Sequence, residues 1–304
     1  MVRKAVILAA GSASRMQENL EHFISDEKEL LVVQKGEKMA ARFARFPFLD
    51  YQILNLIHAG LKSINLVLRR DDSFFIDHYE KNGKRIFPEV EISYSFQDQP
   101  DGTAHAVAVA ERFVKKDRFL VLNGDNNYST DSIQMLVDSP EERSSMVAYD
   151  VRGFNRWTRK KLKSFAVLIT SGGTLKKIVE KPQNPKQFKT TDSLYSERNR
   201  RISVKNLLLV SMNLWCLQPE VLDACKRVER HTPRKEERAG EFELPDAVEL
   251  FMKEGYQFLV FFTREDVLDL TRAEDIKIVE KSIQKNLVAR MRELEYRYKG
   301  KNPL

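Results

Sequence analysis

Residues 5–16 read AVILAAGSASRM: an apolar run, then small residues, then Arg15. Small residues after a strand let backbone N–H groups approach phosphate oxygens, and a following helix N-terminus adds a favourable dipole. The stretch is a candidate anion cradle whose one fixed charge, Arg15, suits bidentate phosphate binding. Two better-known cradles do not fit. A dinucleotide fingerprint wants G-x-G-x-x-G, but Ala13 and Met16 stand where its second and third glycines belong, and a P-loop, G-x-x-x-x-G-K-[ST], is absent. A second candidate is VLNGDN (121–126), where Asp125 follows an apolar run. Its local sequence alone favours an N-cap or turn residue.

Such loops need a scaffold to bring them together. Strand patterns occupy 4–10, 64–69, 90–96, 118–123 and 145–150, and helical patterns 49–59, 72–81 and 103–114 lie between them. This alternation predicts a mostly parallel α/β sheet with helices on both faces, which binds ligands at the carboxyl ends of its strands. AAGSAS and NGDNN follow two of those strands, so two polar loops are expected at one edge. Beyond residue 150 the pattern changes. Residues 165–169 and 174–179 flank Ser171-Gly172-Gly173 and read as a hairpin, and the polar stretch to about 201 reads as a flexible connector. An apolar run, VKNLLLVSMNLWCL, follows, then a helix opening at Pro219, a helix led by 241–246 and a strand at 257–263. From Ile276 onward Val279, Ile283, Leu287, Met291 and Leu294 keep helical spacing, which predicts one long amphipathic helix packed on its own domain, with a dimer contact as the alternative.

The 304 residues carry 51 basic and 44 acidic side chains, a net charge of +7. The excess gathers in RWTRKKLK (156–163), ERNRR (197–201) and RHTPRKEER (230–238), which read as solvated loops because acidic residues are interspersed and few aromatics accompany them. No stretch has the roughly 20 apolar residues of a membrane span. The apolar start of about seven residues is too short for a signal peptide. Cys216 and Cys225 show no metal or disulfide spacing, which suits a reducing cytoplasm.

Laid side by side, LAAGSASRM, DEKELLVV (26–33), PFLDYQI (47–53), FQDQPDGTAHAV (96–107), VLNGDN, IVEKP (178–182), MNLW (212–215), EFELPDAV (241–248) and VLDLTRAEDI (267–276) resemble, in order, the sugar-phosphate nucleotidyltransferases. These enzymes make nucleoside-diphosphate sugars from a nucleoside triphosphate and a sugar 1-phosphate. The resemblance implies a Rossmann-like catalytic domain over 1–276, with a nucleotide part at about 1–150 and an acceptor part at about 151–276 containing a small sugar-binding β-hairpin, then a C-terminal amphipathic helix at 277–304. It implies that Ala10, Gly11, Ser12, Ala13 and Ser14 cradle the triphosphate, with Arg15 and Lys28 as phosphate cations. Gln97 and Gly102, with Thr103, would read the nucleobase. Asp125 and Asp269 would hold Mg2+. Asn126, Glu180 and Asn213 would bind the acceptor, and Lys181 its phosphate. His105 reads as a helix residue near the site, because this chemistry needs no base.

The chain departs from that family at four places. Ala13 replaces a glycine, Glu27 stands where a proline usually precedes the lysine, and Thr271 replaces a glycine two residues after Asp269. An extra segment at 34–46, QKGEKMAARFARF, reads as a lid or a contact surface. The expectation is a cytoplasmic enzyme that takes a nucleoside triphosphate and a sugar 1-phosphate, not nucleic acid or membrane, with a homo-oligomer left open. Gln97 leans the base towards UTP or dTTP, with CTP and GTP open. A cytidylyltransferase acting on a phosphorylated alcohol such as phosphocholine, a non-catalytic nucleotide-sugar sensor and a nicotinamide dehydrogenase are the alternatives. No hexapeptide repeat points to an attached acetyltransferase.

Overall fold

The computed structural model describes residues 2–11, 13–99, 101–228 and 242–300. Its first half runs β1 (Lys4–Leu8), α1 (Glu27–Gln34), a small ribbon of β2 (Arg42–Phe43) and β3 (Phe46–Pro47), α2 (Phe48–His58), β4 (Ser63–Arg69), α3 (Phe74–Ile86), β5 (Glu91–Gln97), α4 (Thr103–Ala108), α5 (Glu111–Val114), β6 (Phe119–Asn123), β7 (Asn126–Asn127), α6 (Thr130–Val137) and β8 (Ser144–Asp150). β6, β1, β4 and β5 pair in parallel, with Leu8 level with Asn123 on one side and Val67 on the other. Alternation along β1 serves both faces: Ala5 and Ile7 join one core cluster, while Val6 joins the other. Local signals place the helices. The Asp26 carboxylate caps α1 by accepting from Glu29 N at 2.8 Å, and Ser129 caps α6 by accepting from Ser132 N at 3.0 Å.

The second half runs α7 (Arg156–Lys160), β9 (Ala166–Ser171), β10 (Thr174–Val179), β11 (Thr190–Tyr195), β12 (Arg201–Leu207), β13 (Leu209–Leu217), α8 (Val221–Arg227), α9 (Leu244–Lys253), β14 (Phe258–Thr263), β15 (Leu268–Asp269), α10 (Asp275–Asn286) and α11 (Val288–Tyr298). All the long strands share one sheet ordered β12-β11-β14-β10-β9-β13-β6-β1-β4-β5, with β8 pairing both β13 and β14. The sheet is mixed, which corrects the mostly parallel expectation. β13 is antiparallel to β6, β8 and β9, and β9–β10 and β11–β12 are antiparallel hairpins. A parallel neighbour needs a crossover of a dozen or more residues, and the Gly172-Gly173 turn leaves no room for one.

The polar stretch up to residue 201 is not a loose connector: it holds β11. Its polarity has a local cause, since the Asp192 carboxylate accepts from Gly172 N at 2.9 Å and Gly173 N at 3.2 Å, closing the neighbouring turn. The C-terminal helical pattern is broken at Leu287 into α10 and α11. Ile276, Val279, Ile283 and Leu294 are buried, and α11 packs against α2 and α3. There Tyr298 donates its hydroxyl to Asp50, and the Arg297 guanidinium grips Glu89 at 2.9 Å. Both cysteines are buried free thiols, pushed up to about 11 at Cys216 and about 12 at Cys225 by that burial. No helix among the described residues is long and apolar enough to cross a membrane.

Candidate active site

At the carboxyl ends of β1 and β6 the chain forms a cleft of about 580 Å³. The loop after β1 turns on Ala13, whose φ of +52° lies in the left-handed region, and Met16 N closes the turn on Ala13 O at 2.8 Å. The turn delivers Arg15 to the cleft wall. Ala10 and Ala13 are buried in the loop, Gly11 is exposed and Ser14 half-buried, while Ser12 lies outside the described residues. The left-handed residue sits where the family pattern has glycine, so the loop keeps a glycine backbone shape without a glycine.

After β6, Gly124 N donates to Leu8 O at 2.9 Å, pinning the next loop beside the end of β1. β7 then pairs antiparallel with β15, with Asn126 opposite Asp269, and Leu270 N donates to Asp125 O at 2.8 Å. Main-chain bonds therefore bring Asp125 and Asp269 together from positions far apart in sequence, and both line the cleft. Asn126, also in the wall, donates its amide to Met212 O at 3.3 Å, tying this ribbon to β13.

Each of the two carboxylates holds an ammonium group. Lys38 Nζ lies 2.5 Å from Asp125 Oδ2, and Lys161 Nζ lies 2.7 Å from both Asp269 Oδ2 and Asp275 Oδ2. The Thr271 hydroxyl donates to Asp269 Oδ1 at 2.6 Å. Asp275 is fully committed, accepting also from Trp157 Nε1 at 2.6 Å, Thr271 N at 2.8 Å and Arg272 N at 2.7 Å. Burial is the largest influence on the Asp269 carboxyl and pushes it up; Lys161 opposes that and the nearby Asp125 adds to it. Two partly shielded carboxylates that draw cations in this way are a hard-oxygen donor set suited to Mg2+. Among the described residues no group of three or more His, Cys, Asp or Glu side chains forms a cage. Magnesium held by one or two carboxylates and substrate phosphates needs none.

The opposite wall is built by β10, β13 and α7. Glu180 and Lys181 follow β10, and Lys181 has φ +40°. Asn213 sits at an irregularity in β13 with φ +56°, its N–H on Ser211 Oγ at 3.1 Å, and it too lines the cleft. Two of the cleft's lining residues, Lys181 and Asn213, thus have left-handed backbone, as does Ala13 in the loop that delivers Arg15. Asn155 caps α7 by accepting from Trp157 N and Thr158 N, which fixes the basic run behind it. Lys160, Lys161 and Lys163 of that run line the cleft, so the reading of 156–163 as a solvated loop is corrected. The signal for this was the presence of a tryptophan among the lysines.

Two groups of expected residues lie elsewhere. Lys28 is exposed on the first turn of α1 and does not line the cleft; its neighbour Glu29 is the residue that turns in, accepting from Arg42 N at 2.7 Å. Gln97, Gly102 and Thr103 gather at the end of β5 and the start of α4, outside the cleft wall. The Gln97 amide donates to Gly102 O at 3.1 Å and meets His105 Nδ1 at the same distance. Gly102, at φ +103°, lies so close to Phe242 that a Cβ would stand 2.5 Å from its carbonyl oxygen. Thr103 bonds Glu243 and Leu244 N, so the chain at the start of α9 is docked onto α4. The sequence reading missed Lys38, Lys161 and Asp275. Lys38 lies in the extra segment at 34–46, which is packed rather than lid-like: Met39, Ala40, Ala41, Phe43 and Phe46 are all buried.

Known proteins resemble this chain along most of its length. The profile of the family described as Nucleotidyl transferase matches residues 4–276. The low-salt glycan biosynthesis nucleotidyltransferase Agl11 of Haloferax volcanii is 25% identical over 83% of the chain, which spans 58% of that protein's length. The UTP–glucose-1-phosphate uridylyltransferase AglF of the same organism is 22% identical, over 83% of this chain and 84% of its own. Among solved structures, a UTP-bound UGPase from Acinetobacter baumannii superimposes with a TM-score of 0.66 at 15% identity, over 97% of this chain and 98% of its own.

Proposed function

The chain belongs to the nucleotidyl transferase family, and on that premise we propose that it is a sugar-1-phosphate nucleotidyltransferase, making a nucleoside-diphosphate sugar and pyrophosphate from a nucleoside triphosphate and a sugar 1-phosphate. The observation that carries this reading is that the β7–β15 ribbon, in which Asn126 pairs with Asp269 and Leu270 N bonds Asp125 O, brings Asp125 and Asp269 into one cleft that also presents Arg15, Lys181 and Asn213. Residues up to about 150 take the nucleotide, and those from 151 to 276 take the acceptor. UTP or dTTP is the favoured donor, in keeping with the uridylyltransferase relative.

The nucleophile is a phosphate oxygen of the acceptor, already ionised near neutrality because a monoester's second pKa is about 6. No general base is required, and none of the cleft residues is assigned that role. The problem is to bring two anions into line at the α-phosphorus while pyrophosphate leaves, so positioning and charge neutralisation provide the catalysis. Arg15 clamps the triphosphate, and Lys181 holds the acceptor phosphate. Glu180, Asn126 and Asn213 orient the sugar through its hydroxyls. Asp125 and Asp269 would hold Mg2+, which when bound screens the charge between the donor and acceptor phosphates. Lys28, exposed in the structure, has a role only if the triphosphate extends over α1.

The test is pyrophosphate release with magnesium, crossing ATP, GTP, CTP, UTP and dTTP with a panel of sugar 1-phosphates and phosphocholine. Turnover with a sugar 1-phosphate, lost in Asp125→Asn, is the expected result. Turnover with phosphocholine alone would move the acceptor to a phosphorylated alcohol, and nucleotide binding without turnover on any acceptor would leave a sensor.

A further inference from the structure

β8 pairs along one edge of β13, so β6 and β9 share the other: β6 meets residues 215–217, and β9 meets Val210 and Ser211. The cleft opens in the gap between the end of β6 and the start of β9, with Asn213 between them. The acid ribbon and the loop after β1 stand on the β6 side. On the β9 side Ala166 lies beside Ser211 and Val167 opposite Val179, so residues 163–165 come in next to Glu180 and Lys181, on the acceptor wall. The turn that leads into β9 is held in place. Asn155 caps α7, the Trp157 indole and the Lys161 ammonium are both bonded to Asp275, and Ser164 Oγ donates to Lys161 O at 2.6 Å. Two exposed lysines line the cleft from this fixed turn: Lys163, and Lys160 with its ammonium 5.2 Å from the centre of the Trp157 ring.

The carboxylates of the cleft are already engaged. Asp125 holds Lys38, Asp269 holds Lys161 and Thr271, and Glu243 accepts from Thr103 at 2.9 Å. Glu180 has a partner as well, and Asp275, behind the wall, shares Lys161 with Asp269. With Lys38 and Asp275 included, seven cations face five carboxylates, and among the described residues Arg15, Lys160, Lys163, Lys181 and Arg272 have no ion-pair partner. A triphosphate explains a positive excess on the β6 side, where Arg15 lies, and the acceptor phosphate explains Lys181. Arg272 follows the acid ribbon, its N–H on Asp275. Lys160 and Lys163 remain, on the acceptor wall. We propose that these two lysines form a second anion site and that the acceptor is a sugar 1-phosphate bearing a further anionic group, a carboxylate or a second phosphate. This rests on the nucleotidyltransferase reading of the cleft. Ammonium groups are point charges without a fork geometry, so they suit either anion, and the Trp157 ring holds Lys160 at the wall. A neutral sugar ring would strip water from both ammonium groups without replacing its hydrogen bonds.

The experiment compares kcat/KM for glucose 1-phosphate, glucuronic acid 1-phosphate, N-acetylmuramic acid 1-phosphate and glucose 1,6-bisphosphate, with magnesium and each of ATP, GTP, CTP, UTP and dTTP as donor. Wild-type protein is expected to favour one of the three anionic acceptors over glucose 1-phosphate by about tenfold, the reach of two exposed charge contacts, and the one it favours separates carboxylate from phosphate. The preference should shrink as salt is raised, because exposed charges are screened. Lys160→Met combined with Lys163→Met should bring the ratio of anionic to neutral acceptor close to one, and Lys163→Glu should turn it below one. Lys163→Arg keeps the charge and the preference. Both side chains are exposed, so these variants are expected to fold. Wild-type protein that uses glucose 1-phosphate as well as every anionic acceptor, or better, overturns the proposal, and so does a preference that Lys163→Glu leaves unchanged. Transfer to glucose 1-phosphate alone leaves the nucleotidyltransferase reading standing and overturns only the second anion site. Transfer to none of the four overturns that reading, and the proposal falls with it.

Discussion

Leu270 donates its backbone N–H to the carbonyl of Asp125 at 2.8 Å, and through that main-chain bond the two acids on either side of the β7–β15 ribbon are held in fixed relation. Because backbone atoms set the arrangement, neutralising either carboxylate leaves the ribbon intact. Asp125→Asn and Asp269→Asn are each expected to lower kcat about a hundredfold, on the order of 3 kcal/mol, the usual cost of deleting one preorganised electrostatic group. Pyrophosphate release at saturating substrates measures this. A loss confined to KM would show that the acids bind substrate without acting on the transition state.

Lys161 joins Asp269 to Asp275, and all three side chains are largely shielded, at 14%, 10% and 1% exposure. Lys161→Met would strand two neighbouring carboxylates in a dry setting. Breaking such a pair costs about 3 kcal/mol, whereas an exposed pair would cost under about 1 kcal/mol. Urea unfolding in the absence of metal is expected to show the larger loss. Magnesium with triphosphate should recover much of it, because a ligand that binds only the folded state and restores the missing charge shifts the unfolding equilibrium. No recovery would argue against Asp269 as a metal ligand.

Ala13 holds φ +52° in a turn closed by Met16 N. A left-handed alanine costs roughly 1–2 kcal/mol, and glycine gives back about 0.4–1 kcal/mol through the freedom of its unfolded chain. Ala13→Gly is therefore expected to be neutral or stabilising by about 1 kcal/mol. Ala13→Val, β-branched and ill-suited to that region, should destabilise by more than this. Thermal unfolding of the two variants provides the comparison, and equal effects would mean that the loop relaxes out of the left-handed turn.

The first half of the fold was legible because local rules govern it: β1, β4, β5, β6 and β8 fall within two residues of their sequence-predicted bounds at each end. The cleft's lining was legible where a motif lies at or just past a strand end, as with Arg15, Asp125, Glu180, Lys181 and Asp269, and where MNLW crosses the irregularity in β13 at Asn213. What escaped depends on distant pairing. Nothing near Lys38 in the chain announces Asp125, 87 positions away, and nothing near Lys161 announces Asp269 and Asp275. The polar β11 was misread for a similar reason: Asp192 looks like a loop residue until Gly172 and Gly173 are folded against it. The departures from the family pattern were informative, since Thr271 and the 34–46 segment both contribute contacts to the acid pair.

Glu37 sets a pH dependence of stability with a definite sign. It is 4% exposed and accepts from Phe74 N. Burial pushes its carboxyl up from 4.5 to about 7; the Asp72 charge adds to that, while the Phe74 N–H and Arg69 oppose it. In the folded protein Glu37 thus keeps its proton over a range where the unfolded chain has lost it. Its contribution is fully present below about pH 4.5, declines as pH rises towards about 7, and is constant above that. The full span corresponds to about 3 kcal/mol. Glu37→Gln keeps an acceptor for Phe74 N and removes the titration, and it also relieves Asp72 of a like charge, which acts in the same direction. The variant should match wild type near pH 4.5 and exceed it by up to about 3 kcal/mol at pH 8. Urea unfolding of both proteins at the two pH values isolates this group, because the other titrating groups largely cancel in the difference. A variant that is less stable than wild type at pH 8 would show that ionised Glu37 is stabilised by the Arg69 side and not penalised by burial.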